Sequence, residues 1–181
     1  MRFAGLRGGY PIRSHHASDS EGARMIPTLP ALTLHGDLDL PAELTVEQLR
    51  RLPAHRARVT FDCRTNGAQQ HDFEGPKLWD VLRAAGPRID LSTRKARLRY
   101  LLTVTGADGH FALLSWAEID PDFGGQQILL ATSIDGRPLD DAGPQLVVPA
   151  DTCGARYISG ITAVWLGALS GTPLSPATGP R

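Results

Sequence analysis

Alternating apolar and polar positions open the patterned part of the chain. Ala31–Gly36 alternates in this way, which predicts a first β-strand. Thr45 then has the features of an N-cap, and Gln48 completes a capping box, so a short helix is predicted that ends before Pro53. The region therefore begins with one strand and one short helix.

A second strand and a polar segment surround the first cysteine. Arg56–Asp62 predicts a strand with an apolar face, and Cys63 lies at its C-terminal end. The following segment, Arg64–Glu74, is polar and carries the turn dipeptide Asn66-Gly67, which predicts a loop. Cys63 would then lie where a strand becomes a loop, a position from which a thiol and backbone amides can face a ligand.

The clearest helix lies between two glycine–proline pairs. Gly75-Pro76 opens this helix and Gly86-Pro87 ends it. Its apolar residues follow the spacing of an amphipathic helix, and they are Leu78, Val81, Leu82 and Ala85. We expect Leu82 to face the core.

Short strands and turns account for the rest of the pattern. The predicted elements are a hairpin of Leu98–Thr105 and His110–Leu114, a helical turn that starts at the Ser115 capping box, strands at Gln127–Thr132 and Gln145–Val148 with a turn at Asp135–Leu139 between them, and a last strand pair within Arg156–Gly167. Because strands outnumber helices, the predicted fold class is α+β, with a mixed sheet and one substantial helix.

The domain organisation follows from composition along the chain. Residues 1–27 have the composition of a disordered leader, residues 28–170 form one domain, and residues 171–181 read as a disordered tail. Met25 precedes the first patterned segment and is an alternative start to Met1. The leader lacks the apolar stretch of a secretory signal, so we expect the chain as given to be cytoplasmic.

Charge and motif content exclude several classes of function. The 181 residues carry 19 basic and 19 acidic side chains, so no strongly basic field favours nucleic-acid binding. The longest apolar run, Ile161–Leu169, is too short to span a membrane. Phosphate-binding glycine loops, zinc-ligand spacings and nucleophile elbows are absent from the sequence. Five aspartates suggest an acidic face: Asp120, Asp122, Asp135, Asp140 and Asp141.

The order of segments resembles the molybdopterin-binding domain of the sulfite oxidase superfamily. The similar segments are VTFDCRTNG (59–67), FEGPKLWDVLRAAG (73–86), VTGADGHFALLSWAEIDP (104–121), ILLATSIDGRPLDDAGPQLVVPAD (128–151) and RYISGITAVWLG (156–167). Their order and spacing cover about three quarters of the chain, and they are closest to the small stand-alone members. The resemblance implies a sulfite-oxidase-like mixed-sheet fold and a molybdenum cofactor.

The resemblance also implies roles for individual residues. Cys63 falls where the family's cysteine binds molybdenum through its thiolate. Arg64, Thr65 and Asn66 would surround that ligand. Arg156 falls near the family's basic residue that holds the cofactor phosphate. His71 and His110 would line the crevice, although His110 replaces the tyrosine usual in the family.

The implied activity is an oxygen-atom transfer on a small-molecule substrate, with electrons passed to an external carrier such as a cytochrome.

Two departures from the family pattern leave other functions open. Gln145 stands where catalytic members often have arginine, and the chain lacks the additional segments of larger relatives. A binding module without metal, holding a small ligand or a partner protein, is therefore the main alternative, and a redox sensor that pairs Cys63 with Cys153 is a third.

Overall fold

The computed structural model describes residues 30–63, 67–90 and 93–169, and the side chains of residues 61–63 are not described. The predicted leader and tail, and the positions Arg64, Thr65 and Asn66, lie outside the described residues. The elements in chain order are β1 (Ala31–Gly36), β2 (Ala42–Thr45), α1 (Val46–Arg50), β3 (His55–Cys63), β4 (Gly67–Gly75), α2 (Leu78–Ala84), α3 (Arg94–Arg97), β5 (Tyr100–Gly106), β6 (Phe111–Ser115), α4 (Trp116–Ile119), β7 (Leu129–Ala131), β8 (Ser133–Ile134), β9 (Arg137–Pro138), β10 (Gln145–Val147), a 3-10 helix (Gly154–Arg156) and β11 (Ile161–Ala168).

The strands form three sheets. The largest has the order β2-β1-β11-β5-β6, in which β1 and β11 are parallel and the other neighbours antiparallel. A four-stranded antiparallel sheet has the order β3-β4-β8-β9, and β10 pairs with β7 in a two-stranded ribbon. Strands therefore dominate, and the predicted α+β class with mixed sheets is confirmed.

Both predicted capping boxes are present. The Thr45 side chain accepts a hydrogen bond from the Gln48 amide at 3.2 Å, and the Gln48 side chain accepts one from the Thr45 amide at 2.8 Å. The Ser115 amide likewise donates to Glu118 Oε1 at 2.9 Å. These bonds satisfy amides that the first turn of a helix leaves without partners, which fixes where α1 and α4 begin.

The main core lies between the five-stranded sheet and α2. Leu82 is completely buried there, as are Leu102 and Val164 on the facing strands. Gly86, at a φ of 68°, turns the chain immediately after α2, as the glycine–proline pair predicted.

The ribbon of β7 and β10 divides this main core from a smaller one. Leu130 and Leu146 face the main core, whereas Leu129, Ala131 and Val147 face the smaller core. Because successive side chains of a strand point to opposite sides, a ribbon buried on both faces reads as a continuous apolar run. The smaller core also contains Val59, Phe73 and Tyr157.

Three predicted elements are corrected. The predicted loop at 64–74 is largely strand, because β4 occupies Gly67–Gly75 and pairs with β3 along its whole length. The predicted last strand pair is a 3-10 helix followed by the single strand β11, which pairs with β1 and β5 instead. Leu98 caps α3 rather than starting β5. In the part of the chain described, no helix is long and apolar enough to cross a membrane.

Candidate functional site

β3 and β4 form a long hairpin, and Cys63 is the last residue of its first strand. The register of β3 and β4 runs without interruption from His55 opposite Gly75 to Cys63 opposite Gly67. We call this hairpin the arm. Gly67 has φ 72°, and both Gly67 and Ala68 are exposed at this end of the arm.

The two faces of the arm differ in burial. Val59 and Phe73 are buried on the face that packs against the ribbon, and we call this the inner face. Because alternate residues of a strand share a face, and directly opposed residues do too, positions 63 and 71 belong to the inner face. The inner face thus runs from the smaller core to the exposed end of the arm.

The outer face carries a ladder of ion pairs. Arg58 donates two hydrogen bonds to Asp72, at 2.6 and 2.8 Å, and Arg56 pairs with Glu74 at 3.1 Å. The hydrogen bond from Arg58 lowers the pKa of the Asp72 carboxyl below its usual value. A shallow groove of about 270 Å³ lies along this ladder. Its arginines are already paired with carboxylates, so the groove presents little uncompensated positive charge.

His71 lies on the inner face and is fixed by an aspartate from another strand pair. Its Nδ1 lies 2.7 Å from Asp135 Oδ2, and the Asp72 amide donates to Asp135 Oδ1 at 2.9 Å. These two bonds lower the pKa of Asp135, the amide contributing most. Asp135 has a φ of 50°, the one positive φ of a non-glycine residue in the described ranges. This tight turn between β8 and β9 sets the orientation of the His71 ring.

Arg156 is held by two carboxylates. It donates to both oxygens of Asp151, at 2.8 and 2.6 Å, and to Glu118 Oε2 at 2.9 Å. The bonds to Asp151 and Glu118 raise the pKa of the guanidinium, which remains charged. Three of its five N–H groups are engaged by described partners, which leaves two for another acceptor.

Tyr157 connects this arginine to the smaller core. Its ring lies 6.2 Å from that of Phe73, and its hydroxyl donates to the Val148 carbonyl at 3.1 Å. Burial raises the pKa of Tyr157 to about 12, and the nearby charge of Asp151 adds to the shift. The 3-10 helix that bears Arg156 lies against β3. Arg156, Tyr157 and the inner face of the arm therefore belong to one region.

His110 is exposed in the turn between β5 and β6, and its amide donates to Asp108 Oδ1 at 2.9 Å. The same turn contacts the chain shortly after Tyr157, because the Ala107 amide donates to the Gly160 carbonyl at 3.0 Å. No hydrogen bond between described residues connects His110 to His71 or to Arg156. The structure thus groups Arg156 with the arm that carries His71 and Cys63, and a role of His110 in the crevice stays a prediction.

The predicted acidic face is partly wrong. Asp120 is buried, and its carboxylate accepts hydrogen bonds from Arg97 at 2.7 Å and from the Trp116 indole at 2.9 Å. Arg97 also pairs with Asp122 at 2.8 Å. Burial alone would raise the pKa of Asp120, but these bonds and one from the Asp122 amide lower it overall. The ion pair of Arg97 with Asp120 joins positions 23 residues apart, and the sequence shows no signal for it.

The cofactor that the resemblance implies needs a metal ligand and a phosphate-binding group from the chain. No group of three His, Cys, Asp or Glu side chains that could hold a metal ion occurs among residues 30–60, 67–90 and 93–169. A metal held there would take its ligands mainly from the cofactor, with one soft ligand from the chain at position 63. Arg156 fits a phosphate acceptor in charge and in its two remaining N–H groups, although it is shared with Asp151 and Glu118. Cysteine at position 63 and Arg156 are therefore residue types that suit the metal and the phosphate of this cofactor.

Comparisons with known proteins give a family and a fold. A family model described as the oxidoreductase molybdopterin-binding domain matches residues 26–166. No curated protein matches the sequence significantly. Among solved structures, the crystal structure of the sulfane dehydrogenase SoxCD from Paracoccus pantotrophus is similar, with a TM-score of 0.60 and 18% identity. The match covers 78% of this chain and 39% of that one, so the chain spans about two fifths of that protein.

Proposed function

The chain belongs to the oxidoreductase molybdopterin-binding domain family, and from that premise we propose that it is a small molybdenum-cofactor-dependent oxidoreductase in which Cys63 binds the metal. Family membership and the sulfite-oxidase-like fold give the cofactor and the general class of reaction. The identity of the ligand, the transfer of an oxygen atom and the external electron partner are the finer parts of the proposal.

The observation that carries the proposal is the position of Cys63 in the register of the arm. Position 63 belongs to the inner face, which is shared with Val59 and His71, and not to the outer face with its ion pairs. It also lies opposite the exposed Gly67, at the end of that face farthest from the smaller core. A thiolate at such a position is a soft ligand suited to molybdenum.

The bound cofactor would supply two-electron redox chemistry at molybdenum, coupled to movement of an oxygen atom to or from the substrate. The protein side chains have other tasks. Arg156 would bind the phosphate with its two remaining N–H groups, while Asp151 and Glu118 fix the plane of its guanidinium. Arg64, Thr65 and Asn66 adjoin Cys63 in sequence and would donate hydrogen bonds around the thiolate.

His71 would orient groups near the metal rather than bind it. Asp135 holds one ring nitrogen at 2.7 Å, and the other nitrogen lies 3.5 Å from Gln69 Oε1 on the same face of the arm. A small-molecule substrate would enter at the open end of the arm. An external protein, such as a cytochrome, would accept or supply the electrons singly.

The test is the molybdenum content of protein purified from a host that makes the cofactor. We expect about one molybdenum per chain, since the proposal gives each chain one ligand, Cys63. Cys63→Ser should lose the metal while its far-UV circular dichroism stays unchanged. Cys153→Ser is the matched control, because Cys153 is an exposed free thiol outside the arm, and it should keep the metal.

The ion pairs favour a second candidate. Arg156 is shared with two carboxylates, and both arginines of the outer face are paired, as expected of a module that binds a ligand without metal. In that case repeated preparations would contain no molybdenum, and Cys63→Ser would bind a molybdopterin-type ligand as tightly as the wild type. Retention of metal by Cys63→Ser would overturn the assignment of the ligand alone.

A further inference from the structure

One face of the five-stranded sheet carries no layer formed by the residues that the structure describes. The other face packs into the main core through Leu102, Val104 and Leu166. We call the uncovered side the open face. Thr103 of β5 lies there between its register partners, Leu113 of β6 and Trp165 of β11, and none of these three is buried. Within residues 30–63, 67–90 and 93–169, no helix or strand covers this side of β11, β5 and β6.

The open face concentrates exposed apolar side chains. Six large hydrophobic residues are exposed in the described part of the chain, and three of them lie on or at the ends of β11 and β6: Phe111, Leu113 and Leu169. Phe111 is 64% exposed and Leu113 52%. Trp165 adds to this patch, because its indole lies across Gly167, where a Cβ would come within 2.1 Å of the ring. Contiguous apolar surface of this kind marks an interaction site.

The patch ends at a free strand edge. β6 is the last strand of the sheet and pairs only with β5 among the described elements. The Gly106 amide donates to the His110 carbonyl, so the alternation of an antiparallel ladder directs the backbone groups of Phe111 and Leu113 away from β5. These N–H and C=O groups are positioned to pair with a further strand.

Two other edge strands carry charged side chains that oppose such pairing, whereas β6 does not. The opposite edge of the same sheet, β2, contains Glu43, and the edge strand β3 contains Arg56 and Arg58. The sequence of β6 is FALLS, without a charge. Charged residues are the usual protection of edge strands, so β6 is the unprotected edge.

We propose that the β6 edge and the adjoining apolar patch bind a second copy of this chain, with the two β6 strands antiparallel about a two-fold axis. Such an axis places Leu113 opposite the partner's Leu113, and Phe111 opposite Ser115 of the partner subunit. A self-complementary contact sets like residues against one another, which an uncharged strand allows and a charged one would oppose. The zero net charge of the chain removes long-range repulsion as well.

The contact is small, because β6 has five residues. Interfaces of less than about 1,200 Å² are typically weak, so dimerisation should depend on protein concentration and have a dissociation constant on the order of micromolar. The proposal does not depend on molybdenum and concerns a surface separate from the arm.

The test is sedimentation equilibrium of the full chain over roughly 5–200 μM, a range that brackets a micromolar dissociation constant. Wild type should approach twice its mass of 19.5 kDa as concentration rises. Leu113→Lys should remain at the monomer mass, because two lysines would then face each other across the axis. Leu40→Lys is the matched control, since Leu40 is 63% exposed and lies away from β6, and it should behave as wild type.

Three results would overturn the proposal. Wild type could stay monomeric at every concentration, Leu113→Lys could dimerise as well as wild type, or Leu40→Lys could abolish dimerisation equally. Far-UV circular dichroism of both variants shows whether the fold is retained. Because both substituted positions are exposed in the single chain, we expect both variants to keep the wild-type spectrum.

Discussion

The two cores of this protein differ in what they support. The main core is large and closed, and it joins the five-stranded sheet to α2 through leucines such as Leu82 and Leu102 that have no exposure. The smaller core has six buried residues and supports the arm that carries Cys63, together with the 3-10 helix that carries Arg156. Stability therefore lies mainly in one region and the candidate chemistry in the other, with the two-sided ribbon of β7 and β10 between them.

The polar contacts repeat this division. Near the main core, the Arg97–Asp120 pair is buried, and the Trp116 indole donates a further hydrogen bond to the Asp120 carboxylate. Around the arm, the ion pairs of Arg56 and Arg58 are exposed, and exposed pairs contribute little to stability. The arm is therefore specified by its register and by the smaller core, and its ion pairs add little.

The largest predicted effect is in the main core. Leu82→Ala should lower the free energy of unfolding by about 2–5 kcal/mol, because it leaves a cavity beneath α2. Urea denaturation followed by tryptophan fluorescence measures this loss. Leu40→Ala, at an exposed position, should change it by less than about 0.5 kcal/mol. A loss of similar size in both variants would show that the core face of α2 is misassigned.

Asp120→Asn should have the next largest effect, because it removes the buried one of the two carboxylate charges that pair with Arg97. We expect a loss of about 1.5–3 kcal/mol at neutral pH, the range for hydrogen bonds to charged groups. The pKa of Asp120 is lowered in the folded state, so its contribution is complete above the unfolded value of 3.8 and is lost as pH falls through the folded value. Urea midpoints should therefore converge for wild type and variant below that range, and a constant difference would contradict the assignment.

The smallest of these effects is in the smaller core. Tyr157→Phe should cost about 1 kcal/mol, because the Val148 carbonyl loses its hydroxyl donor. The pKa of Tyr157 is raised from 10.0 to about 12, so wild type should lose stability as pH rises from 10 towards 12, and the variant should not. Tyr100→Phe is the control, since that hydroxyl bonds the Arg88 carbonyl at 3.3 Å in a less buried place. Equal alkaline losses in wild type and Tyr157→Phe would rule out this role.

The elements that the sequence predicts well are those with a local signal. The hairpin of β5 and β6, the helix α2 and both capping boxes depend on residues within a few positions of one another, such as Thr45 with Gln48. β4 escapes prediction because its inner positions, including Gln69 and His71, are polar, so the strand lacks an apolar alternation. Polar residues are tolerated there because the arm extends past the smaller core.

The candidate site is predictable only in part, for the same reason. The order of the similar segments along the chain predicts Cys63 as a site residue, and the place of Arg156 after β10 predicts it as another. The partners of Arg156 are not identifiable, since Glu118 is 38 residues away and is brought close only by the packing of α4 near the 3-10 helix. The bond between His71 and Asp135 spans 64 residues and depends on a turn at positive φ. Such contacts arise from tertiary structure and leave no periodic trace in sequence.

The ribbon buried on both faces has a consequence for motion within the folded chain. We expect amides of β7 and β10, such as those of Leu130 and Val147, to exchange with solvent slowly, because both cores enclose them. Backbone hydrogen bonds join the base of the arm to this region, from the Thr132 amide to the Glu74 carbonyl at 2.8 Å and from the Leu130 amide to the Pro76 carbonyl at 2.9 Å. The base of the arm is therefore anchored to what we expect to be the slowest-exchanging part of the chain.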